Sequence, residues 1–405
     1  MPLSVRDALI YDWNTPEGGP AQERPFSLLD DTLRDGLQST IVRQPSLEER
    51  AELLGAMARA GVRSVNLGMP VVSKAAFAAI VKLSAAAQKH DLRVVVAGRT
   101  LESDMRAILE LAERTGTRPE GHAFVGSSAL RVEVEGWSAA LVRERTTQAI
   151  GMLARAGLEA AFVTEDTTRS HPDTLRDLFR AALDAGASRL CLCDTVGHAT
   201  PEGVRRLIGF TQSVVADHGS SVALDWHGHA DRGLALGNAL AALDAGVDRV
   251  HGTALGLGER AGNTPLELLM LNLSLLGRWS TDLMPAVDYC GRAARMLAVS
   301  VPATHPLLGT AAFRTATGVH AAAIQKAAQK AGWLSDRVYG AVPSASVGRV
   351  QEVCVGPLSG RANVEAWLAA HGFAPSEELV RRILERARAA DHVLSDEELG
   401  KMIDR

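Results

Sequence analysis

The segment Asp225-Trp226-His227-Gly228-His229 places two histidines two residues apart. If it ends a β-strand, alternation points both imidazoles to the same side of the sheet. Two imidazoles on one face, joined by a carboxylate from another strand, fill three positions of an octahedral metal site and leave others for a bidentate ligand. The same spacing also fits structural or solvated histidines, so both interpretations stay open at this point.

Polar and ionisable residues also follow other short apolar runs of the chain. They are Asp30 to Gln38, Asn66, Glu165 to Arg169, Asp194 with Thr195, and His251 to Thr253. In a parallel barrel, the carboxyl ends of the strands and the loops that follow them form one rim, where active sites are built. We therefore expect these side chains to meet the two histidines on a single rim.

A glycine-rich segment, residues 252–263, follows the last of these runs and contains four glycines in twelve residues. One interpretation is a flexible loop of the barrel. The other is a close approach of the backbone to an anionic ligand such as a phosphate or pyrophosphate, which glycine permits because it has no side chain.

The elements that must position these residues recur about every thirty residues along the chain. Eight apolar or β-branched runs occupy residues 26–29, 62–67, 93–97, 122–125, 160–163, 189–193, 222–226 and 249–252. Alanine-rich segments with helical spacing separate them, and four runs follow an Ala-Gly pair that is typical of a helix C-terminus. The pattern predicts an α/β fold, a (β/α)₈ TIM barrel, with an open doubly wound sheet as the alternative.

The chain has 405 residues, which exceeds the roughly 250 of a single barrel. We expect an N-terminal extension at 1–24, a TIM-barrel catalytic domain at 25–280 and a C-terminal, mainly helical module at 281–405. Within that module, helices are expected at 288–299, 318–330, 364–371 and 376–390, and a more irregular stretch at 332–356.

Charge and hydropathy exclude several classes of protein. The net charge is −4, and basic and acidic residues are interspersed, so no basic face is offered to nucleic acid or to an anionic membrane. No apolar run reaches the ~18 residues of a membrane span, and the N-terminus lacks the build of a signal peptide. We expect a cytoplasmic protein that acts on small molecules.

Two of the four cysteines, Cys191 and Cys193, lie in one apolar run. Alternation along a strand would direct both thiols to one face. A buried pair of reduced thiols is the favoured interpretation over a zinc or redox site, because the wider spacings of zinc sites are absent.

Six motifs resemble those of the DRE-TIM metallolyases, and within them the 2-isopropylmalate, homocitrate and citramalate synthases. In the family's order they are DTLRDGLQ at 31–38, ED-x-x-R at 165–169, DTVG-x-x-TP at 194–201, HGHADRGLALGNALAALDAG at 227–246, GLGERAGNTPLE at 256–267 and GVHAAAIQK at 318–326. The resemblance covers about residues 28–360 and implies the same barrel.

The resemblance also implies a role for each matching residue. The ligands of a divalent cation (Mg²⁺, Mn²⁺ or Zn²⁺) would be Asp35, His227, His229 and Asn263. The catalytic residues would be Arg34, Glu165, His320 and Tyr339, and the substrate-binding residues Arg34, Gln38, Thr195 and Arg131. Coenzyme A would be bound by Gly256, Gly258, Glu259, Arg260 and Gly262. The alternatives are an Arg34–Asp35 salt bridge without a role in catalysis, and a His320 that is merely packed or exposed.

The activity implied is a metal-dependent condensation of acetyl-CoA with a 2-oxo acid, followed by thioester hydrolysis. We favour 2-oxoisovalerate as the acceptor, and hence leucine biosynthesis, over 2-oxoglutarate or pyruvate. A homodimer is expected, in which the C-terminal module supplies His320 to the partner's barrel, and no C-terminal regulatory domain is expected. The alternative of another class is a non-catalytic barrel that binds a metal or ligand.

Three departures bear on these expectations. Ala230 stands where the family usually has asparagine, beside the proposed ligands. Arg131 lies one residue from the position at which homocitrate synthases read a distal carboxylate, and Arg99 is a further candidate, so a dicarboxylate acceptor stays open. The glycine-rich loop has Glu259 and Arg260 but no cysteine, whereas the lyase branch carries one, which favours condensation over cleavage.

Overall fold

The computed structural model describes residues 9–14, 24–279 and 282–403, and its larger sheet is a closed barrel of eight parallel strands. The strands are β1 Ser27–Asp30, β2 Ser64–Asn66, β3 Arg93–Arg99, β4 Glu120–Gly126, β5 Ala160–Glu165, β6 Arg189–Asp194, β7 Ala223–Gly228 and β8 Arg249–Gly252. Closure comes from the pairing of β1 with β8, where Leu28 is level with Val250. The predicted TIM barrel is confirmed, and the open sheet is excluded.

Helices alternate with these strands. They are Leu47–Arg59, Lys74–Gln88, Glu102–Thr115, Ala129–Glu135, Ala139–Arg155, Pro172–Asp184, Pro201–His218, Ala235–Asp244, Leu266–Leu275 and Met284–Met296. The first begins at a capping box: Ser46 Oγ accepts the backbone N–H of Glu49, and the Glu49 carboxylate accepts that of Ser46. Each partner satisfies a backbone donor that the helix leaves free.

The four Ala-Gly pairs do end helices, as their sequence predicts. Gly61, Gly157, Gly186 and Gly246 have φ between 74° and 97°. This left-handed region is open to glycine because it lacks a Cβ. After each of these turns the chain enters the next strand of the barrel.

The described residues form two compact units. The first contains the barrel and residues 288–299; the second contains residues 282–287 and 300–403. Tyr289 ties its helix to the barrel, because its buried hydroxyl donates to Asp30 Oδ2 at 2.6 Å. The domain boundaries expected from the sequence stay a prediction, and most of the expected N-terminal extension lies outside the described residues.

The second unit is mainly helical. Its helices are Gly318–Lys330, Gly332–Arg337, Arg361–Ala370, Glu377–Arg388 and Asp396–Ile403, and strands β9 Arg314–Thr315 and β10 Glu352–Val353 form a small parallel sheet. Its core packs Trp367 and Leu368 against Val380, Ile383 and Leu399. The stretch expected to be irregular also contains a short helix, Gly332–Arg337.

None of the described helices is both long enough and apolar enough to cross a bilayer.

Candidate active site

A cavity opens at the carboxyl ends of the barrel strands and encloses about 900 Å³, counting the part open to solvent. Nine residues to which the resemblance assigns a role line it: Arg34, Asp35, Gln38, Glu165, Thr195, His227, His229, Glu259 and Arg260. The fold therefore brings together side chains from strands β5 and β7 and from the segments that follow β1, β6, β7 and β8. This is the arrangement that a parallel barrel predicts for an active site.

Three side-chain atoms converge on one point of the cavity wall. Asp35 Oδ2 lies 3.6 Å from His227 Nε2 and 3.7 Å from His229 Nε2, and the two nitrogens are 3.3 Å apart. Atoms bonded to one ion at about 2.1 Å are separated from one another by roughly 3.0–3.4 Å. The three residues, all buried, therefore fit a divalent cation with little rearrangement.

Local chain geometry positions each of the three. Asp35 ends a tight turn after β1, in which the backbone N–H groups of Arg34 and Gly36 both donate to Asp31 O. His227 lies in β7, and His229 follows two residues later, where its N–H donates to Asp194 O. Both imidazoles therefore reach the same side, as alternation predicts.

The electrostatics of the cluster suit a cation. Burial and the adjacent His227 ring lower the pKa of His229 to about 4, so this imidazole is neutral near pH 7 and has a free lone pair. Burial opposes ionisation of Asp35, but Arg34 and the two imidazoles lower its pKa. The cluster offers one carboxylate and at least one neutral imidazole as ligands.

Asn263 reaches this cluster through the glycine-rich loop. It pairs with His229 in an antiparallel bridge, and its side-chain amide donates to Asp35 Oδ1 at 2.9 Å and to Leu257 O at 3.0 Å. A Cβ added to Gly262, where φ is +90°, would lie 2.0 Å from Gly256 O. The glycines thus let the loop close on itself and bring Asn263 to Asp35.

The residues proposed to bind coenzyme A separate into two groups. Glu259 and Arg260 line the cavity, whereas Gly256, Gly258 and Gly262 are not among its lining residues. Arg260 binds Asp231 at 2.8 Å and donates to Thr195 O. A role for the glycines in holding phosphate stays a prediction, because closure of the loop already explains them.

Ala230, which stands where the family usually has asparagine, is held by a backbone hydrogen bond. Its N–H donates to Gly262 O at 2.9 Å. The loop after β7 is therefore joined to the glycine-rich loop beside the three converging ligands, without a side-chain amide.

Arg34 lies between two carboxylates at the edge of the cavity. Its Nε donates to Asp31 Oδ1 at 3.1 Å, and its Nη2 is 3.2 Å from Asp35 Oδ2. A guanidinium carries five N–H groups, so donors remain for a ligand. The salt bridge and a role in binding are compatible at this position.

Glu165 and Thr195 line the cavity together with Gln38. Burial raises the pKa of Glu165, which suits a group that exchanges or orients protons near neutrality. Thr195 Oγ1 accepts the backbone N–H of Asp166 at 2.8 Å, which leaves its own hydroxyl hydrogen for a ligand. Arg131 is not among the lining residues: its guanidinium binds Glu135 at 3.0 Å and lies 4.0 Å from Glu165.

His320 and Tyr339 lie in the second unit and contact each other. Their rings stack with centroids 3.8 Å apart and planes 25° apart. Tyr339 is half exposed, and His320 is partly buried near the start of helix Gly318–Lys330. The two residues of this unit that the resemblance implies to be catalytic therefore form one aromatic pair.

A network of buried charges beneath the cavity was missed from the sequence. Arg249, 1% exposed, binds Asp225 at 2.6 Å and also binds Glu120. Arg189 binds Asp225 at 2.5 Å. A signal was present: a charged residue stands two positions before a histidine in both Glu120-x-His122 and Arg249-x-His251, at the start of the predicted run 249–252 and just before the run 122–125.

Cys191 and Cys193 are both buried, free and part of the cavity lining. Their sulfurs lie 3.9 Å apart, beyond the ~2.05 Å of a disulfide. Burial raises the pKa of Cys191 well above its usual range. The two side chains are therefore not joined by a disulfide, and the thiol of Cys191 stays protonated in the cavity floor.

Comparison with known proteins agrees with the motifs. The HMGL-like family matches residues 25–289. The 2-isopropylmalate synthase of Solidesulfovibrio magneticus is 31% identical over 87% of this chain and 67% of its own length, and that of Sediminispirochaeta smaragdinae is 31% identical over 73% and 59%. The homocitrate synthase AksA of Methanopyrus kandleri is 29% identical over 89% of this chain and 86% of its own length.

Solved structures show the fold. The hydroxymethylglutaryl-CoA lyase of Pseudomonas aeruginosa has a TM-score of 0.59 and 22% identity, and the match covers 69% of this chain and 95% of the lyase. The family match spans more than half of the chain and coincides with the barrel and its rim of polar residues. The chain therefore belongs to the HMGL-like family of the DRE-TIM superfamily, which includes 2-isopropylmalate and homocitrate synthases.

Proposed function

We propose that the chain catalyses a metal-dependent condensation of acetyl-CoA with a 2-oxo acid, followed by hydrolysis of the thioester, as a 2-isopropylmalate synthase does. The observation that carries the proposal is the convergence of Asp35, His227 and His229 within 3.7 Å of one another beside the guanidinium of Arg34. A divalent cation held there, with Asn263 as a further ligand, would polarise the 2-oxo carbonyl as a Lewis acid.

The chain's own residues would do the rest. Thr195 would donate to the carboxylate of the oxo acid with its free hydroxyl hydrogen, and Gln38 lies on the same cavity wall. The free N–H groups of Arg34 would stabilise the negative charge that develops on the former carbonyl oxygen. Glu259 and Arg260, at the same cavity, would bind coenzyme A.

A base must also remove a proton from the acetyl methyl group. We assign this to His320, with Tyr339 stacked on it and Glu165 as the orienting carboxylate. An imidazole is suited to proton transfer near neutral pH. In this proposal the second unit of one subunit supplies His320 to the barrel of its partner in a homodimer.

The charges around the cavity favour an acceptor with an uncharged side chain. Among the described residues that line it, only Arg34 and Arg260 carry a permanent positive charge, and both are paired with carboxylates. Arg99 is held by Asp104 at 2.9 Å, and Arg131 by Glu135. A distal carboxylate would therefore lack a free cation, whereas Met69, Phe124 and Val163 offer apolar surface.

These contacts support 2-oxoisovalerate over 2-oxoglutarate. Pyruvate remains the second candidate, because its methyl group also needs no cation. A pathway role in leucine biosynthesis is part of the proposal for 2-oxoisovalerate.

The test is release of thiol from acetyl-CoA by the purified chain with Mn²⁺ or Mg²⁺. The acceptors are 2-oxoisovalerate, pyruvate, 2-oxoglutarate and phosphonopyruvate. We expect the highest kcat/KM with 2-oxoisovalerate and no release in the presence of a chelator. If no acceptor releases thiol while the metal binds, the chain is a binding barrel and the proposal is wrong.

A further inference from the structure

We infer that His251 is a positioning residue for the metal site: it holds the Asp31 carboxylate against Nδ1 of His227, so that Nε2 of His227 faces the ion. The inference rests on the metal site of the proposed function, and it does not depend on which acceptor reacts. None of the motifs singled out from the sequence gives His251 a role.

The first link is a carboxylate shared by two imidazoles. Asp31 Oδ2 lies 3.4 Å from His227 Nδ1 and 3.4 Å from His251 Nδ1, while Asp31 Oδ1 accepts from Arg34 Nε. Asp31 is fully buried. One carboxylate thus contacts a proposed metal ligand, the guanidinium beside it and His251.

The second link fixes His251 from its other side. His251 Nε2 lies 2.9 Å from Asp225 Oδ2, and Asp225 is itself held by Arg249 and Arg189. His251 therefore lies between two buried carboxylates, with Nε2 hydrogen-bonded to Asp225 Oδ2 and Nδ1 3.4 Å from Asp31 Oδ2.

The consequence reaches the ion through His227. A neutral imidazole carries hydrogen on one nitrogen, and a carboxylate close to Nδ1 favours the form that leaves the Nε2 lone pair free. Such carboxylate partners orient metal-binding histidines and make them more basic. Without His251, Asp31 would lose the ring that lies 3.4 Å from its Oδ2 and would be less firmly held against His227.

His122 provides a matched control. It is as buried as His251, at 4% against 3% exposed, its ring stacks on that of His251 at 5.7 Å, and it also binds a carboxylate, Glu120 at 2.8 Å. It has no described bond to Asp31. Replacing it perturbs the same cavity floor, including Arg249 at 3.4 Å, but leaves the approach of Asp31 to His227 and His251 in place.

The experiment is titration calorimetry of Mn²⁺ into the metal-free full chain, with the thermal unfolding midpoint of each variant recorded. We expect one ion per chain, a Kd raised about 10–100-fold in His251→Gln, and a Kd within about threefold of the original in His122→Gln. Asp31→Asn, which keeps the size of the side chain, should weaken binding at least as much as His251→Gln, and it decides the matter if His251→Gln does not fold.

Three results separate the possibilities. An unchanged Kd in folded His251→Gln, or in Asp31→Asn if that is the folded variant, would overturn the inference, because a purely structural role lowers the unfolding midpoint alone. Two ions per chain would also overturn it, since Asp31, His227 and His251 are close enough to hold an ion themselves. Weakened Mn²⁺ binding without thiol release from any acceptor would support the inference and refute the proposed condensation.

Discussion

Two clusters of buried ionisable residues occupy the same barrel, and they differ in where the positive charge comes from. In the inner cluster, Glu120 and Asp225 are bridged by the guanidinium of Arg249. In the rim cluster, Asp35 faces two imidazole nitrogens that lie only 3.3 Å from each other. Similar residue types are therefore neutralised by the protein in one place and left open to an ion in the other.

This difference shows which cluster is built for a ligand. Glu120, His122 and Asp225 are close enough to hold an ion, but Arg249 already fills that role. Arg34 pairs with one oxygen of Asp35, Oδ2. Among the described residues, the Nε2 atoms of His227 and His229 have no hydrogen-bond partner except each other. Close ligand atoms are thus weaker evidence for a metal site than the absence of a guanidinium that already bridges the carboxylates.

The largest effect on folding stability should follow removal of the Arg249 guanidinium. Arg249→Met leaves two buried carboxylates without their main partner, which costs about 3–5 kcal/mol of folding free energy. Urea unfolding measures this. Arg93→Met is the control, since Arg93 also approaches Glu120, at 3.8 Å, but is 49% exposed; it should cost less than about 1 kcal/mol. Equal losses in the two variants would mean that the inner cluster is not held by Arg249.

The second effect concerns the rim cluster. His229→Ala removes one of three converging ligands, so Mn²⁺ affinity should fall by about 100-fold or more. The unfolding free energy should change little, because the side chain of His229 makes only long contacts, at 3.3 Å to His227 and 3.7 Å to Asp35. Calorimetry and urea unfolding together test this. His171→Ala, at an exposed histidine, is the control. Retained affinity would place the ion elsewhere.

The third effect tests whether the glycine-rich loop serves the rim cluster. Gly262→Ala would force a Cβ against Gly256 O at a φ of +90°, a strain of about 1–3 kcal/mol. Mn²⁺ binding should weaken about tenfold, because Asn263 is displaced from Asp35. Gly237→Ala, in a helix with open space around it, should leave binding unchanged. If both variants bind Mn²⁺ equally, Asn263 is not positioned by the loop.

The smallest effect is a pH dependence of the inner cluster. Burial raises the pKa values of Glu120 and Asp225, but the hydrogen bond of Glu120 with His122 and the Arg249 guanidinium beside both carboxylates outweigh it and lower the two pKa values. Depressed carboxyl pKa values give stability that is present above the unfolded values near 4 and is lost as the pH falls through the folded ones. Each proton taken up on unfolding contributes about 1.4 kcal/mol per pH unit. Asp225→Asn should make the decline below pH 4 less steep, and an unchanged slope would contradict the assignment.

Much of the rim could be predicted from the sequence, since alternation and the order of strands place His227, His229 and Asp35 on one side of a barrel. Alternation groups His227 with His229, and the strand order brings the segment 30–38 to the same rim, but the choice of Asp35 within that segment comes from the resemblance. Asn263 required the family resemblance, because its approach to Asp35 depends on how the glycine-rich loop closes on itself.

The inner cluster was not predicted, for a physical reason. Glu120, Arg189 and Arg249 lie at the starts of strands, where a charged residue is ordinarily interpreted as the exposed end of an apolar run. Only closure of the barrel brings them face to face and offsets the cost of burying each charge. Pairing across non-adjacent strands is set by the tertiary structure, and local sequence patterns do not reveal it.

The central claim is that the oxo acid and the ion bind together at Asp35, His227 and His229. The most direct test is calorimetric titration of 2-oxoisovalerate into the chain with saturating Mn²⁺ and again after chelation. The account predicts one site per chain with Mn²⁺ and a loss of binding of at least about 100-fold without it. Equal binding with and without Mn²⁺ would contradict the account.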